Sequence, residues 1–392
     1  MARAPYLTSR LQGFGTTIFA EMSALAARTG AVNLGQGFPD TDGPTVVSEA
    51  AVEAIRNGQN QYPPGPGTED LRRAVAEHQA RFWGLDFDPA DEILITAGAT
   101  EALAAALLGL CETGDEVVAF DPTYDSYAAG VALAGARLRP VLLNPPVDGT
   151  GPFTFDPDEL RRAFNPKTRL ILLNTPHNPT GKVFTSAELA LVAELCVEHD
   201  VLAVTDEVYE HLVFNGHHQP LASFPGMAER TVTVSSGGKT FSFTGWKVGW
   251  ACGPAEIINA VRTAKQFLTF VNGAPFQPAI AVGLRLGDGY FQQFTAVLQA
   301  KRELLSGYLN QAGFGVFTSE GTYFTTVDIS PVGHDDGINL CLALPELAGV
   351  VAVPSAVFYQ DRRHGKNLIR FCFAKRDEVL IQAGERLGTA FG

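Results

Sequence analysis

The chain has 392 residues, 46% hydrophobic and 18% charged, an ordinary globular balance with enough length for two domains or one large domain with an appendage. Its formal net charge is -13 and it contains no basic run, which excludes a nucleic-acid footprint and argues against a membrane surface as partner. The five cysteines (Cys111, Cys196, Cys252, Cys341, Cys372) form no CxxC pair and sit mostly in apolar segments, so neither disulfides nor a metal site is expected.

The first thirty residues carry Arg3, Arg10, Glu21 and Arg28 among short apolar pieces. No signal peptide or spanning helix can be drawn there, and a reduced, cytoplasmic protein is expected. The segment up to about residue 44 is too short to fold alone and is expected to dock on the C-terminal part. From about residue 90, short branched runs alternate with amphipathic stretches, the pattern of strands joined by crossover helices. The predicted strands are "EILIT" (92–96), "EVVAF" (116–120), "RLILLN" (169–174), "VLAVTD" (201–206) and "TVTVS" (231–235). Between the third and fourth, "TSAELALVAELCVEHD" reads as a helix with a Thr185/Glu188 capping box and Leu189, Val192, Ala193 and Cys196 on one face.

Nearly continuous apolar strands imply burial on both faces, hence an α/β fold with a mostly parallel sheet covered by helices. Further on, "KRELLSGYLNQAGF" reads as a helix, and "TYFTTVDI" and "NLIRFCFA" read as strands of a smaller α/β unit. The expected division is a large domain over 45–285 and a small domain built from 1–44 and 286–392.

Ligands of parallel sheets bind at the carboxyl ends of the strands. The first run leads into Gly98-Ala99-Thr100, at the start of an alanine-rich helix, which is either a plain Thr-capped helix or a phosphate site made of free N–H groups. Asp206 ends the fourth run, with Tyr209 in the same "TDEVYEH". Such an aspartate either caps a turn, with Glu207 solvated, or holds the proton on a heteroaromatic nitrogen, as pyridoxal phosphate requires. Lys239 follows the fifth run in "SSGGKTFSFTGWKVGW". It and Lys247 are either surface lysines or, respectively, a Schiff-base amine and a phosphate partner that acts together with Ser236. "NTPHNPTG" offers Asn178 as a donor to a ring oxygen, Tyr124 can stack on a flat ring, and Arg370 is a charge inside an apolar strand, suited to a substrate carboxylate.

Taken together, "NLGQGFPD", "NQYPPGPG", "GATEA", "NTPHNPTGKVF", "TDEVYEHLVF", "SSGGKTFSFTGWKVGW" and "IRFCFAKR" resemble, in order, the motifs of the fold-type I pyridoxal-phosphate aminotransferases. The resemblance runs from about residue 12 to 385. It is greatest to the branch holding kynurenine, glutamine and methionine aminotransferases, and above all to the actinobacterial N-succinyldiaminopimelate aminotransferases. It implies that Lys239 forms the Schiff base with pyridoxal 5'-phosphate, that Asp206 pairs with the pyridine nitrogen, and that Tyr209 and Asn178 bond the phenolic oxygen. Tyr124 would stack on the ring, while Ala99, Thr100, Ser236 and Lys247 would cup the phosphate. Arg370, with Asn178 and the Gly37 backbone, would bind the substrate carboxylate. Tyr62 would reach the phosphate of a neighbouring subunit, which implies a homodimer with shared sites.

Two positions depart from the family pattern. Lys247 stands where many relatives have arginine, and Phe19 stands where relatives that take bulky aromatic substrates often have tryptophan. No second arginine is evident for a distal carboxylate, which disfavours aspartate as donor. The implied reaction is ping-pong transamination from an amino acid to 2-oxoglutarate, with N-succinyl-diaminopimelate as the preferred donor. The alternative donors are kynurenine, glutamine or methionine, with carbon–sulfur β-lyase activity on cysteine conjugates as a side reaction. A nicotinamide dehydrogenase is disfavoured because no G-x-G-x-x-G follows any strand, and a DNA-binding regulator is disfavoured by the acidity.

Overall fold

The structure, a computed structural model, describes residues 6–15, 17–146, 149 and 151–392. Arg3 lies outside the described residues. All five predicted strands are present, as Ile93–Thr96, Glu116–Asp121, Thr168–Asn174, Leu202–Asp206 and Thr231–Ser236. They belong to one seven-stranded sheet with two further members, Arg137–Leu142 at one edge and Gly249–Cys252 between the first and last of the five. The sheet is parallel except for Gly249–Cys252, which runs antiparallel to both of its neighbours.

Two-sided burial follows from strand alternation. Val117, Ala119, Leu170 and Leu172 pack on one face with the helix Gly98–Leu110, while Val118, Phe120, Ile171 and Leu173 pack on the other with the helix Ser186–Glu198. Each such fully buried aliphatic contributes about 1.5–3 kcal/mol relative to exposure. The capping box of the latter helix forms as expected: Thr185 Oγ1 accepts from the Glu188 N–H at 3.3 Å, and Glu188 Oε2 accepts from the Thr185 N–H at 2.8 Å.

A second, antiparallel sheet orders Val353–Pro354, Leu368–Cys372, Phe324–Asp328 and Gly315–Val316. The 24-residue helix Asp288–Gln311 and the helix Asp377–Phe391 share its core. The N-terminal segment joins this body. Val32–Asn33 pairs in parallel with Val350–Val351, and the carbonyl of Leu34 accepts from the Cys372 N–H at 2.7 Å. Residues 35–38 are thereby carried across to the carboxyl edge of the large sheet.

Candidate active site

The parallel strands end together, and in register Asn174 stands beside Asp206. Above that edge is a cavity of about 310 Å³. It is lined by Phe19, Gly37, Ala99, Thr100, Tyr124, Asn178, Asp206, Tyr209, Ser236, Lys239, Lys247 and Arg370. Twelve of the thirteen predicted site residues therefore converge on one space, although Phe19 and Arg370 lie 351 positions apart. Tyr62 is the exception. It is 82% exposed and packs edge-on to Phe270 with ring centres 5.6 Å apart, in a surface groove with Asn60, Pro63 and Asn272.

Lys239 sits on the short helix Gly237–Thr240, directly after its strand. Its Nζ donates to the Tyr323 hydroxyl at 3.0 Å and, more weakly, towards the Gly37 carbonyl at 3.5 Å. Burial pushes this amine down to about 8; the charges of Lys247 and Arg370 act in the same direction and Asp206 acts against it. At neutral pH a usable fraction is therefore unprotonated.

Asp206 is 5% exposed. Its Oδ2 accepts from the Tyr127 hydroxyl at 2.6 Å and its Oδ1 from the Val208 N–H at 3.3 Å. Burial raises the carboxyl above its usual range, and these two hydrogen bonds oppose that. A cation placed against Asp206 would restore its charge.

Glu207 is not solvated. It is fully buried on the opposite side, bonded to His218 at 2.7 Å and to the Thr205 hydroxyl at 2.7 Å. Strand alternation and the turn that follows send Asp206 and Tyr209 to the cavity, and Glu207 and Glu210 away from it.

Arg370 has no exposed surface. Its guanidinium carbon lies 3.8 Å from the Phe324 ring centre, 5.1 Å from that of Phe358 and 5.2 Å from that of Phe19. Nη1 donates to Asn178 Oδ1 at 2.8 Å, Nη2 donates to the Gly35 carbonyl at 3.2 Å, and Nε has no partner. No carboxylate among the described residues forms an ion pair with it. A buried guanidinium in an aromatic cage, oriented but not neutralised, is built to receive an anion.

The helix Gly98–Leu110 starts two residues before Thr100, so Thr100 is not its cap. Ala97 is the capping position and has no side-chain cap bond, and Glu101 Oε2 accepts from the Ala97 N–H at 2.6 Å. Ala99 and Thr100, whose first-turn N–H groups have no intrahelical acceptor, thus line the cavity beside Ser236 and Lys247. Gly98 adopts φ +73°, and a Cβ there would come within 3.3 Å of the Lys247 ammonium. Lys247 is itself left-handed at φ 54°, an unusual conformation for a lysine that positions its backbone under this helix start.

These features fit a flat heteroaromatic phosphate: N–H donors and an ammonium for the anion, a carboxylate for a ring cation, and an amine within reach. Tyr124 and Tyr209 complete the walls, and burial pushes the Tyr124 phenol up to about 12.

Sequence reasoning did not assign Tyr127, Asn174, Tyr323 or Phe324. Asn174 donates to the Asp206 carbonyl at 2.8 Å and accepts from the Asn178 N–H at 2.7 Å, so it ties the two strand ends together. Its place at the end of "RLILLN" was the available signal. One group of metal-ligand residue types, His78, Glu210 and His211, lies outside the cavity. Most of its atoms are already engaged: His78 Nε2 lies 2.8 Å from His211 Nε2, and the Glu210 oxygens accept from Ser235 and Trp83, each at 2.7 Å, while His78 Nδ1 has no partner among the described residues.

A family model described as aminotransferase class I and II matches residues 29–387. The chain is 53% identical over 390 residues to the "Probable N-succinyldiaminopimelate aminotransferase DapC" of Mycobacterium tuberculosis, covering 97% of this chain and 98% of that one. It is 42% identical over 381 residues to the methionine aminotransferase of Escherichia coli, covering 97% of each. The solved structure of N-succinyldiaminopimelate aminotransferase from Mycobacterium tuberculosis superposes with a TM-score of 0.95 at 52% identity, covering 98% of this chain and 100% of that one.

Proposed function

Because the chain belongs to the class I and II aminotransferases, fold-type I enzymes dependent on pyridoxal phosphate, we propose that it transfers the amino group of N-succinyl-diaminopimelate to 2-oxoglutarate. The donor follows the relatives with 53% and 52% identity. The observation that carries the catalytic reading is the convergence of a depressed lysine amine, a buried aspartate and an unneutralised buried arginine on one cavity.

When bound, pyridoxal phosphate supplies an electron sink for the charge left as the substrate α-proton departs. The remaining work falls to the chain. Ala99, Thr100, Ser236 and Lys247 hold the phosphate, and Asp206, fixed by Tyr127 and Asn174, keeps the ring nitrogen protonated. Tyr124 would stack on the ring, while Tyr209 and Asn178 would bond its phenolic oxygen. Arg370 grips the substrate carboxylate with a fork already oriented by Asn178, helped by the backbone of Gly37. The Lys239 amine would take the substrate α-proton onto Nζ as general base and, once protonated, would serve as the general acid that gives it up.

Tyr62, exposed beside the exposed Phe267 and Phe270, completes the phosphate site of a second copy in a homodimer. We place the chain's division at residues 45–285 against 1–44 with 286–392, and its location in the cytoplasm. No helix among the described residues is long and apolar enough to cross a membrane.

The aromatic wall of Phe19, Phe38 and Tyr124 supports a second reading, an apolar donor such as methionine or kynurenine with β-lyase side activity. Arg370 is the only arginine of the described residues lining the cavity. Incubating the enzyme with 2-oxoglutarate and each donor in turn, and measuring glutamate, separates the readings. Turnover of methionine but not of the succinylated donor overturns the first. Borohydride treatment should fix the cofactor on Lys239, and label on another lysine overturns the catalytic reading.

A further inference from the structure

The Lys239 amine has a partner that the mechanism above does not use. Its Nζ lies 3.0 Å from the Tyr323 hydroxyl, and that hydroxyl lies 2.6 Å from the Gly37 carbonyl oxygen. A carbonyl can only accept, so the single Tyr323 proton goes to Gly37 and the phenol oxygen is left to accept an N–H from Lys239. Tyr323 is 1% exposed, and burial holds its phenol well above the usual range, so it stays protonated and the direction of this short chain is fixed.

Lys239 lines both the main cavity and a second cleft of about 410 Å³, and Tyr323 lines only the second. An amine whose N–H is tethered towards Tyr323 turns its lone pair away from that cleft, towards the main cavity. The backbone is committed to this placement. Thr322, a β-branched residue, is held left-handed at φ 68°, and its N–H is bonded to the Leu212 carbonyl at 3.0 Å. A Cβ on the preceding Gly321 would stand 2.7 Å from that same carbonyl. The next residue, Phe324, supplies the ring under Arg370. Two consecutive side chains thus serve the amine and the guanidinium. A phenylalanine would fill the Tyr323 space, so the hydroxyl is accounted for by its polar contacts, to Lys239 and Gly37 with the Tyr209 phenol beside them.

We infer that Tyr323 is a positioning residue for the transamination: its hydroxyl, anchored on Gly37, holds the Lys239 amine with its lone pair aimed at the substrate α-proton. This rests on the reading of Lys239 as the amine that moves that proton. Tyr323→Phe tests it. In the holoenzyme, kcat for the donor should fall about 10- to 100-fold while the donor KM rises by a much smaller factor, because Arg370 is untouched and only the Gly37 carbonyl loses a partner. The α-deuterium isotope effect on kcat should rise.

In the cofactor-free chain, acylation of Lys239, followed by peptide mass, should titrate about 0.5 to 1 pH unit lower. The lost acceptor favours the charged amine by about one hydrogen bond. An unchanged kcat with an unchanged titration overturns the inference, as does a raised KM at constant kcat. If Tyr323→Phe does not fold, as judged by its thermal midpoint, Tyr323→His is compared with Tyr323→Leu. The ring nitrogen of the former can accept the same N–H and should preserve more turnover, and equal rates overturn the inference. Borohydride label on Lys239 in both chains keeps the underlying reading intact whatever the kinetics, while label elsewhere removes the reading and the inference together.

Discussion

Replacing Arg370 by lysine tests the substrate side of the site with the least disturbance of charge. The guanidinium makes one bond to Asn178 and one to Gly35, leaves Nε free, and lies 3.8 Å from the Phe324 ring centre. A lysine ammonium keeps the positive charge but cannot present two parallel donors to a carboxylate. Losing one charge-assisted hydrogen bond costs about 1.5–3 kcal/mol, which is roughly a 10- to 150-fold loss of affinity. Because the substrate carboxylate is gripped both before and during proton transfer, the loss should fall mainly on KM. Steady-state kinetics over a range of donor concentrations at saturating 2-oxoglutarate would show it. The visible cofactor band and the thermal midpoint would confirm that the cavity is intact. A donor KM within twofold of the parent, with the band preserved, would place the carboxylate elsewhere and refute the reasoning.

Lys239→Ala should abolish the visible cofactor band and transamination while leaving the thermal midpoint within a few degrees, and retained turnover counts against its role. Asp206→Asn removes the charge that favours a ring cation, so kcat should drop by at least about 100-fold, a loss of roughly 2.7 kcal/mol; an unchanged rate would show that the carboxylate serves only the fold. Acid stability has a sign that can be worked out. Burial lowers His78 and His177 to about 3 and His211 further, so their stabilising effect is present above the unfolded value near 6.5 and is lost as pH falls through about 3. Burial raises Asp121 and Glu210 to about 7, so their effect is fully present below the ordinary carboxylate range and is lost as pH rises through 7. Between about pH 6.5 and 4.5 the two carboxylates offset two of the three histidines, so stability falls only gently as pH drops. Below about 4 that offset is gone while the histidines continue to act, so the thermal midpoint should fall more steeply towards pH 3. A midpoint that is flat from pH 5 to 3 would contradict this.

What the sequence made legible was whatever a local rule could reach. Apolar runs ending in Asp206 and "GGK" announce a strand edge, and parallel strands bring such edges together, so Asp206 and Lys239 could be assigned to one site before any contact was known. The strand Arg137–Leu142 escaped because it is an edge: Arg137, Arg139 and Pro140 break up its apolar residues, as an edge tolerates. Gly249–Cys252 escaped because it returns antiparallel with four residues and no crossover helix. Tyr127 and Tyr323 were out of reach for a different reason. Their meaning lies in partners 79 and 84 positions away, and neither has a local signature beyond being aromatic, Tyr127 in the first turn of the helix Asp125–Ala134 and Tyr323 just before the strand Phe324–Asp328. Tyr62 was assigned by resemblance alone, and its exposure beside Phe270 is the single physical fact bearing on it.

The segment "TDEVYEH" shows why reading one side of a strand end is not enough. Asp206 and Tyr209 point into the cavity, while Glu207 and Glu210 are locked behind the sheet by His218, Thr205, Ser235 and Trp83. The Val208 N–H between them closes on Asp206 itself. A carboxylate that must hold a ring proton cannot be allowed to rotate: the Tyr127 hydroxyl and the Val208 N–H hold it directly, and the buried bonds of Glu207 and Glu210 on the far face fix the backbone that follows it. A variant such as Ser235→Ala, remote from every reacting atom, should therefore loosen Asp206 before it unfolds the chain, lowering cofactor affinity more than the thermal midpoint. Equal loss of both would mean that the rear network supports only the sheet.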